Sequence, residues 1–170
     1  MEKVRYRKSD AVKILEDLVH KAKIARYPNF PYHPPTKYRD DSANGLTRCI
    51  IDFLNHKGQQ AERINNTGRQ IDRRKTVTDV LGRQRTVGST EWIKGTGQNG
   101  TADISSTIDS KSIKIEIKIG KDRQSNSQKE YQRQVEQAGG IYIIARTFQG
   151  FYEWYNEFIN SKDKIKRHEQ

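Results

Sequence analysis

Two acidic residues and one lysine near the middle of the chain have the types and spacing that metal-assisted chemistry needs. Glu116 and Lys118 lie two positions apart in residues 112–120, SIKIEIKIG, where isoleucine alternates with polar and charged residues. Strict alternation predicts a β-strand whose successive side chains point to opposite faces. Glu116 and Lys118 therefore share one face, and the isoleucines form the other, buried face.

The dipeptide Asp109-Ser110 can supply a tight turn before this strand. Antiparallel pairing about that turn places Asp103 opposite Glu116, with Cβ atoms roughly 4.5–5.5 Å apart. Like charges so placed are destabilising unless the site holds a cation, and hard divalent ions such as Mg²⁺ take oxygen ligands. Lys118 could hydrogen-bond to a water or help deprotonate it, and it could offer positive charge to a phosphate. A bound metal and these three residues together suit the hydrolysis of a phosphodiester.

The same residues also have a purely structural interpretation. Lys114, Glu116 and Lys118 would then form the solvated face of an amphipathic edge strand, with Asp103 as a turn residue. The Glu-x-Lys pattern taken alone favours this interpretation, because charged residues on strands usually face solvent.

The residue pattern of the N-terminal third predicts two helices separated by an extended connector. Apolar residues at helical spacing predict a helix over residues 9–26, capped by Ser9. Residues 27–41 hold all four prolines, and we expect their aromatic side chains to lie on the main body. A second helix runs from Asn44 to the stop at Gly58, with Cys49 on its core stripe.

The remainder predicts a mixed α/β fold. Residues 59–94 indicate strands joined by exposed turns. A helix capped by Ser127 and ending near residue 138 leads to a buried strand, 141–145, parallel to the Glu-x-Lys strand. An aromatic-faced helix from Phe151 follows. We expect residues 1–41 to form an N-terminal helix and proline-rich arm, residues 42–160 the main domain, and residues 161–170 a polar basic tail.

The charge balance favours a polyanionic partner. Lys and Arg number 32 against 21 Asp and Glu, which gives a net charge of +11 and an isoelectric point near 9.8. Nucleic acid therefore leads anionic membrane as a partner. We expect neither a transmembrane span nor a secretory signal, and a cytoplasmic location. A single cysteine and four scattered histidines exclude disulfide and structural zinc scaffolds.

Basic residues cluster on both sides of the Asp103 and Glu116 region. In residues 69–94 they outnumber acidic residues by seven to three, which indicates either a basic hairpin that lies along a phosphate backbone or a merely solvated loop. The candidate phosphate contacts in the two regions are Arg69, Arg73, Arg74, Lys75, Arg83, Arg85, Lys94, Lys121 and Arg123.

The order of these features resembles the VRR-NUC domain of the PD-(D/E)xK nuclease superfamily. The resemblance covers residues 44–154 and consists of a helix, a glycine-led Asp103, the strand with Glu116-x-Lys118, a helix led by Gln128, the pair Gly139-Gly140 and an apolar strand. It implies a restriction-endonuclease-like core, a small mixed sheet flanked by helices. It also implies a Mg²⁺- or Mn²⁺-dependent nuclease that cuts DNA, with selectivity for branched structures such as junctions or flaps, and a possible homodimer.

The resemblance assigns roles by position. Asp103 and Glu116 would be the metal-binding acids, Lys118 the catalytic lysine, and Ile117 would lend its main-chain carbonyl to the metal. Gln128 would support the site, and Tyr131 could contact the substrate backbone, although a plain core position explains Tyr131 as well.

Two positions depart from the family pattern. Ala102 replaces a frequent proline. Asn44 stands where many relatives carry a helix glutamate, so the pattern does not predict a second metal site. Asn44 could instead cap the helix. Asp52, two turns later, could face away from the site. Gly97 and Gly100 would let backbone approach a phosphate or simply make turns. Two other functions remain open: a non-catalytic DNA-binding module, and an RNA-processing nuclease.

Overall fold

A computed structural model describes residues 6–65, 68–95 and 97–168, with the side chains of 162–168 left out. The helices are α1 (Asp10–Arg26), α2 (Ala43–His56), α3 (Asn126–Gln137) and α4 (Phe148–His168). The strands are β1 (Gln60–Arg63), β2 (Arg69–Asp72), β3 (Lys75–Thr78), β4 (Gln84–Val87), β5 (Thr90–Ile93), β6 (Ile104–Ile108), β7 (Lys111–Ile117) and β8 (Ile141–Ala145). The fold is mixed α/β, as the sequence predicts.

The main sheet has the order β1-β6-β7-β8. Strand β6 is antiparallel to both β1 and β7, and β8 is parallel to β7. Helix α3 forms the crossover between the two parallel strands, because parallel neighbours cannot be joined by a tight turn. Strand β7 is thus interior to the sheet, which contradicts the interpretation of its charged residues as part of an exposed edge strand.

The predicted turn at Asp109-Ser110 is confirmed. Both residues have positive φ angles, 45° and 63°, as a two-residue hairpin turn with right-handed strand twist requires. The register that results pairs Ile108 with Lys111 and Ile104 with Ile115. Asp103 and Glu116 are the next opposed pair beyond this ladder, as the turn arithmetic predicted.

The core lies between one face of the sheet and helices α1, α2 and α4. Ile104, Ile113 and Ile115 contribute from the sheet, and Phe53 contacts Phe148 edge-to-face at 5.7 Å between ring centroids. Cys49 is fully buried, as predicted. Four residues of α1 belong to the same core, so the N-terminal helix is part of this body.

Several local predictions differ from the structure. Ser42, rather than Asn44, caps α2, and Ser125, rather than Ser127, caps α3, because each hydroxyl accepts a hydrogen bond from the N–H three residues on. Residues 161–168 continue α4 rather than forming a tail, while 169–170 lie outside the described residues. Strand β8 is an edge strand with Ile144 exposed, since no described strand covers its outer side.

The connector prediction is also only partly right. Tyr38 is buried and its hydroxyl donates to Asp52 at 2.7 Å. Tyr27, Phe30 and Tyr32 are exposed instead, so these aromatic side chains do not lie on the core.

Residues 69–93 form one long hairpin, which we call the hairpin arm. Strand β2 pairs with β5 and β3 with β4 in a single register, and the N–H of Arg73 donates to Ser89 between the two ladders. All strand residues of the arm are exposed except Ile71, which is half-buried. Each side of the arm, residues 69–78 and 84–93, has ten residues. At about 3.3 Å per residue the arm is roughly 30 Å long.

Candidate functional site

The candidate site lies where β7 ends beside β6 and β8. Glu116 and Lys118 are only 2% and 6% exposed, and the Lys118 Nζ lies 3.0 Å from Glu116 Oε1. Charged side chains are rarely this buried unless they are paired, because desolvation of an ion costs several kcal/mol. Burial on both faces of β7 overturns the interpretation of these residues as a solvated surface.

Gln128 connects the two charged groups. Its Nε2 donates to Glu116 Oε1, and its Oε1 accepts from Lys118 Nζ at 3.0 Å and from the Ser125 N–H at 2.9 Å. The Ser125 hydroxyl in turn accepts from the Gln128 N–H, which completes a capping box at the start of α3. The helix cap therefore fixes the position of Gln128, and Gln128 orients both charged side chains.

Asp103 approaches the site from β6. Its Oδ2 accepts a hydrogen bond from the Ile117 N–H at 2.9 Å, and Oδ1 has no hydrogen-bond partner among the described residues. The main-chain carbonyl of Asp103 accepts from the Ile64 N–H at 2.9 Å. Asp103 is half-buried, so its free oxygen is available to a ligand that enters the site.

Burial raises the pKa of Glu116, and the negative charge of Asp103 raises it further, against the opposing effect of Lys118. Burial lowers the pKa of Lys118, but the hydrogen bond and charge of Glu116, followed by those of Asp122, raise it more, so its net shift is upward. Lys118 is consequently protonated at neutral pH. The site holds two carboxylates whose mutual repulsion a cation would relieve.

Three contributors to the site were not identified from sequence. Asp122 Oδ2 lies 3.4 Å from Lys118 Nζ. The Tyr142 hydroxyl donates to Glu116 Oε2 at 3.4 Å, and burial followed by the Glu116 charge raises its pKa. Arg146 donates to the carbonyls of Gly120 and Asp122 and so holds the loop after β7. Tyr142 could have been found from the parallel register, because that register pairs Tyr142 with Lys114, which lies on the same face of β7 as Glu116.

The glycine-led segment before Asp103 packs on α3. Gly100 has φ +81°, and a Cβ there would lie 2.3 Å from the Ser127 carbonyl and 2.7 Å from the Gln128 nitrogen. Only glycine permits this approach, because real Cβ atoms do not come that close to backbone. The turn and the close packing of Gly100 against the backbone of Ser127 and Gln128 explain why this position needs a glycine.

The predicted phosphate contacts fall into two groups, and all are exposed. Lys121 and Arg123 lie on the loop between β7 and α3, beside Lys118. The others lie on or next to the hairpin arm, where Arg73 pairs with Glu91 and Arg74 with Asp72, each at 2.7 Å. Five have no ion-pair partner among the described residues: Arg69, Lys75, Arg83, Arg85 and Lys94.

The hairpin arm leaves the body next to the site. It is inserted between β1 and β6, whose paired ends are Arg63 and Ile104, and the returning segment, residues 94–102, connects it to Asp103. Gln98, in the returning segment, donates to Gln134 on α3 at 2.7 Å. Tyr131 is half-buried and meets Tyr142 edge-to-face at 6.3 Å, which favours a packing role.

Among the described residues, no group of three or more His, Cys, Asp or Glu side chains could hold a metal ion. Asn44 is exposed and carries an amide, and the Asp52 carboxylate accepts a hydrogen bond from the Tyr38 hydroxyl. Neither residue therefore adds a carboxylate to the site. No helix in the described ranges combines the length and apolarity that a bilayer span needs. Comparisons with protein-family models, curated proteins and solved structures find no match to this chain.

Proposed function

We propose that this chain is a metal-dependent nuclease that hydrolyses DNA phosphodiester bonds, with Asp103, Glu116 and Lys118 at its catalytic centre. The observation that carries the proposal is the buried pair Glu116–Lys118, bridged by Gln128 and faced by Asp103. A buried ion pair is weak evidence for stability, since an apolar pair of similar size is often as stable. Buried charges whose pKa values are shifted by desolvation and by a specific charged partner are typical of functional sites.

The finer fold assignment is part of this proposal. Helix α2, the antiparallel strands β1, β6 and β7, helix α3 and the parallel strand β8 follow one another along the chain. This order agrees with the restriction-endonuclease-like core that the sequence resemblance implies. The agreement supports the assignment of Glu116 and Lys118 to the strand that carries the family's acid and lysine.

The donor set fits a hard divalent cation. Asp103 Oδ1 is free among the described residues, Glu116 lies opposite, and the Ile117 carbonyl lies between Glu116 and Lys118 in the chain. Mg²⁺ and Mn²⁺ accept oxygen donors, and Mg²⁺ in particular keeps several waters, so two carboxylates suffice. When bound, the ion would supply an activated water and neutralise charge on the scissile phosphate.

Lys118 acts in this proposal as a hydrogen-bond donor rather than a base. Its raised pKa keeps Nζ protonated at neutral pH, so it holds the attacking water and stabilises negative charge on the phosphate. Glu116 and Gln128 hold the ammonium group at 3.0 Å each, and the longer contact to Asp122, at 3.4 Å, is the one that the water would replace.

DNA is the proposed substrate because the net charge is +11 and because five cations on or next to the arm have no ion-pair partner in the part of the chain that the structure describes. Contacts to phosphate carry no base information. We therefore propose selectivity for the shape of the substrate, such as a junction or flap, over selectivity for sequence.

A cleavage assay tests the proposal. Labelled duplex, flap, four-way-junction and single-stranded DNA are incubated with Mg²⁺, with Mn²⁺ and with EDTA, and a competing RNA tests the choice of sugar. We expect metal-dependent cleavage that Glu116→Gln abolishes. Glu130→Gln is the matched control, because Glu130 is an exposed partner of Arg133 on α3.

Cleavage that persists unchanged in Glu116→Gln would contradict the site assignment. Salt-sensitive binding of DNA without cleavage under any metal condition would favour a non-catalytic binding module, with Asn44 in place of a helix glutamate as the leading explanation.

A further inference from the structure

The tip of the hairpin arm is a small apolar surface held rigidly in solvent. The Asp79 N–H donates to the Arg83 carbonyl and the Gly82 N–H to the Asp79 carbonyl, both at 2.9 Å. Asp79 Oδ1 also accepts from the N–H groups of Leu81 and Arg83 at 2.9 Å. Gly82 has φ +76°, which closes the loop without strain.

The two residues that this loop presents are apolar and unpacked. Val80 is 102% and Leu81 71% exposed. Polar residues usually occupy such turns, because they form local hydrogen bonds and keep apolar surface out of water. A hydrogen-bonded loop that displays two apolar side chains at the end of a long arm is therefore suited to insertion into a partner.

The faces of the arm indicate which partner. In the outer ribbon, formed by β3 and β4, paired residues share a face. One face carries Lys75, Val77, Arg85 and Val87; the other carries Thr76, Thr78, Gln84 and Thr86. All charge of this ribbon thus lies on one face, and a two-stranded ribbon has the width of the major groove of DNA.

We propose that Val80 and Leu81 insert between bases of the bound DNA and open their stacking, so that the arm acts as a wedge at a branch point. This inference rests on the proposed function for its substrate. Apolar wedges that unstack bases are a general means of deforming DNA. Unstacking costs least where stacking is already interrupted, so the preferred substrate is a junction, flap or nick rather than continuous duplex.

The charge distribution favours DNA over a membrane or a second copy of this chain. Cations without an ion-pair partner in the described ranges follow the arm from Arg69 near its base to Arg85 near its tip, as a linear polyphosphate requires. A membrane would be touched only by the tip, and two apolar side chains give weak anchoring. A second copy carries the same net charge of +11, so its approach to this cationic arm is electrostatically less favourable than that of DNA.

The test measures base stacking directly and in EDTA, so that no cleavage occurs. A four-way junction and a matched duplex carry 2-aminopurine, whose fluorescence increases on unstacking, at the branch point and at the equivalent duplex position. The proteins are the full-length chain, the Val80→Ser/Leu81→Ser double variant and the apolar control Val80→Ile/Leu81→Met. Circular dichroism checks folding, which exposed tip residues should not affect.

We expect junction fluorescence to rise with the unmodified chain and the apolar control, and the rise to be lost in the serine variant. Affinity for the junction should fall by less than about tenfold, because phosphate contacts supply most of it. An equal rise with the serine variant, or no binding of any DNA, would overturn the wedge. So would tip-dependent binding to vesicles of phosphatidylglycerol and phosphatidylcholine without a tip-dependent rise in fluorescence.

The outcome is separable from that of the nuclease proposal. Metal-dependent cleavage that requires Glu116, without tip-dependent fluorescence, would leave the nuclease proposal standing and overturn the wedge. Tip-dependent fluorescence without cleavage under any metal condition would support the wedge and contradict the nuclease proposal.

Discussion

The end of β7 and the tip of the hairpin arm depart from the usual distribution of residues in opposite directions. Glu116 and Lys118 are charged and nearly inaccessible, whereas Val80 and Leu81 are apolar and exposed. The core of the described molecule follows the ordinary pattern, with isoleucine and phenylalanine buried, although several aromatic side chains outside the core are also exposed. Both departures cost free energy, since one desolvates ions and the other leaves apolar surface in water.

Such departures indicate positions where selection for function outweighed selection for stability. Sequences agree with their folds at most positions, and exceptions concentrate at functional sites. The end of β7 and the hairpin arm are joined by the chain, because the segment that returns from the arm leads into Asp103, which lies opposite Glu116. The buried site would supply chemistry and the exposed arm would supply substrate geometry, and each assignment can be tested separately.

The largest expected effect comes from breaking the buried site. Lys118→Ala removes the protonated amine beside Glu116. Loss of one preorganised donor typically lowers the rate about 10²–10³-fold. We therefore expect the single-turnover cleavage rate to fall at least this far, while DNA affinity, measured by fluorescence anisotropy, stays within about threefold because the exposed cations remain.

Lys114→Ala is the matched control for this variant. Lys114 lies on the same strand and face, and its Nζ donates to the Ser105 hydroxyl at 2.6 Å, away from Glu116. It should retain the cleavage rate. Equal losses in both variants would indicate damage to β7 and would remove Lys118 from the catalytic assignment.

An intermediate effect is expected from the arm. Replacing Lys75, Arg83 and Arg85 by alanine removes three cations that have no ion-pair partner among the described residues. For duplex DNA, the slope of log affinity against log salt should become shallower by about 0.9 for each phosphate that the protein no longer neutralises, or up to about 2.7. Titrations at several salt concentrations measure this slope.

The control for the arm variant removes the same charge elsewhere. Lys13, Lys21 and Arg26 are exposed on α1, and their replacement by alanine lowers the net charge equally. If this control changes the slope as much as the arm variant does, binding responds to net charge alone and the arm has no special part in it.

The smallest expected effect is a pH dependence of stability. Burial and Asp103 raise the pKa of Glu116 above its ordinary value of 4.5, so the folded state binds this proton more tightly than the unfolded state does. Its stabilising contribution is present below pH 4.5 and is lost as the pH rises through the folded pKa. Glutamine does not titrate.

In EDTA, the unmodified chain should therefore lose thermal stability relative to Glu116→Gln as the pH rises above 4.5. Each pKa unit is worth about 1.4 kcal/mol, and each kcal/mol shifts the midpoint about 2–4 °C in a domain of this size. Thermal unfolding of both proteins over a pH series measures the difference. A constant or opposite difference would mean that the Glu116 carboxylate is not destabilised by its surroundings.

The parts of the fold that local chemistry determines could be predicted from sequence. Turn residues and strand alternation suffice to place Asp103 opposite Glu116, because the two strands are joined by a two-residue turn and each side chain's face follows from its position. The α1 cap at Ser9 and the core position of Cys49 depend likewise on neighbours within a few residues.

What could not be predicted depends on contacts between distant segments. Alternation shows that Glu116 faces away from the isoleucines, but not that α3 and Tyr142 cover it. The polar stretch before α3 contains Ser127, the predicted cap, and Ser125, the observed cap. Ser125 is the cap because Gln128 completes its capping box while bonding to Glu116 and Lys118. The exposure of Val80 also depends on the assembled arm, because residues 76–81 taken alone are equally compatible with a short strand.

The two-residue turn at Asp109-Ser110 makes the site sensitive to chain length. One added residue there would shift β6 against β7 by one position and transfer Asp103 to the opposite face of the sheet. An addition within residues 79–83, at the end of the arm, would leave the main sheet's register untouched. Insertions and deletions should therefore be absent from the turn, whereas a change of length at the arm's end would alter the proposed wedge and leave the catalytic centre in place.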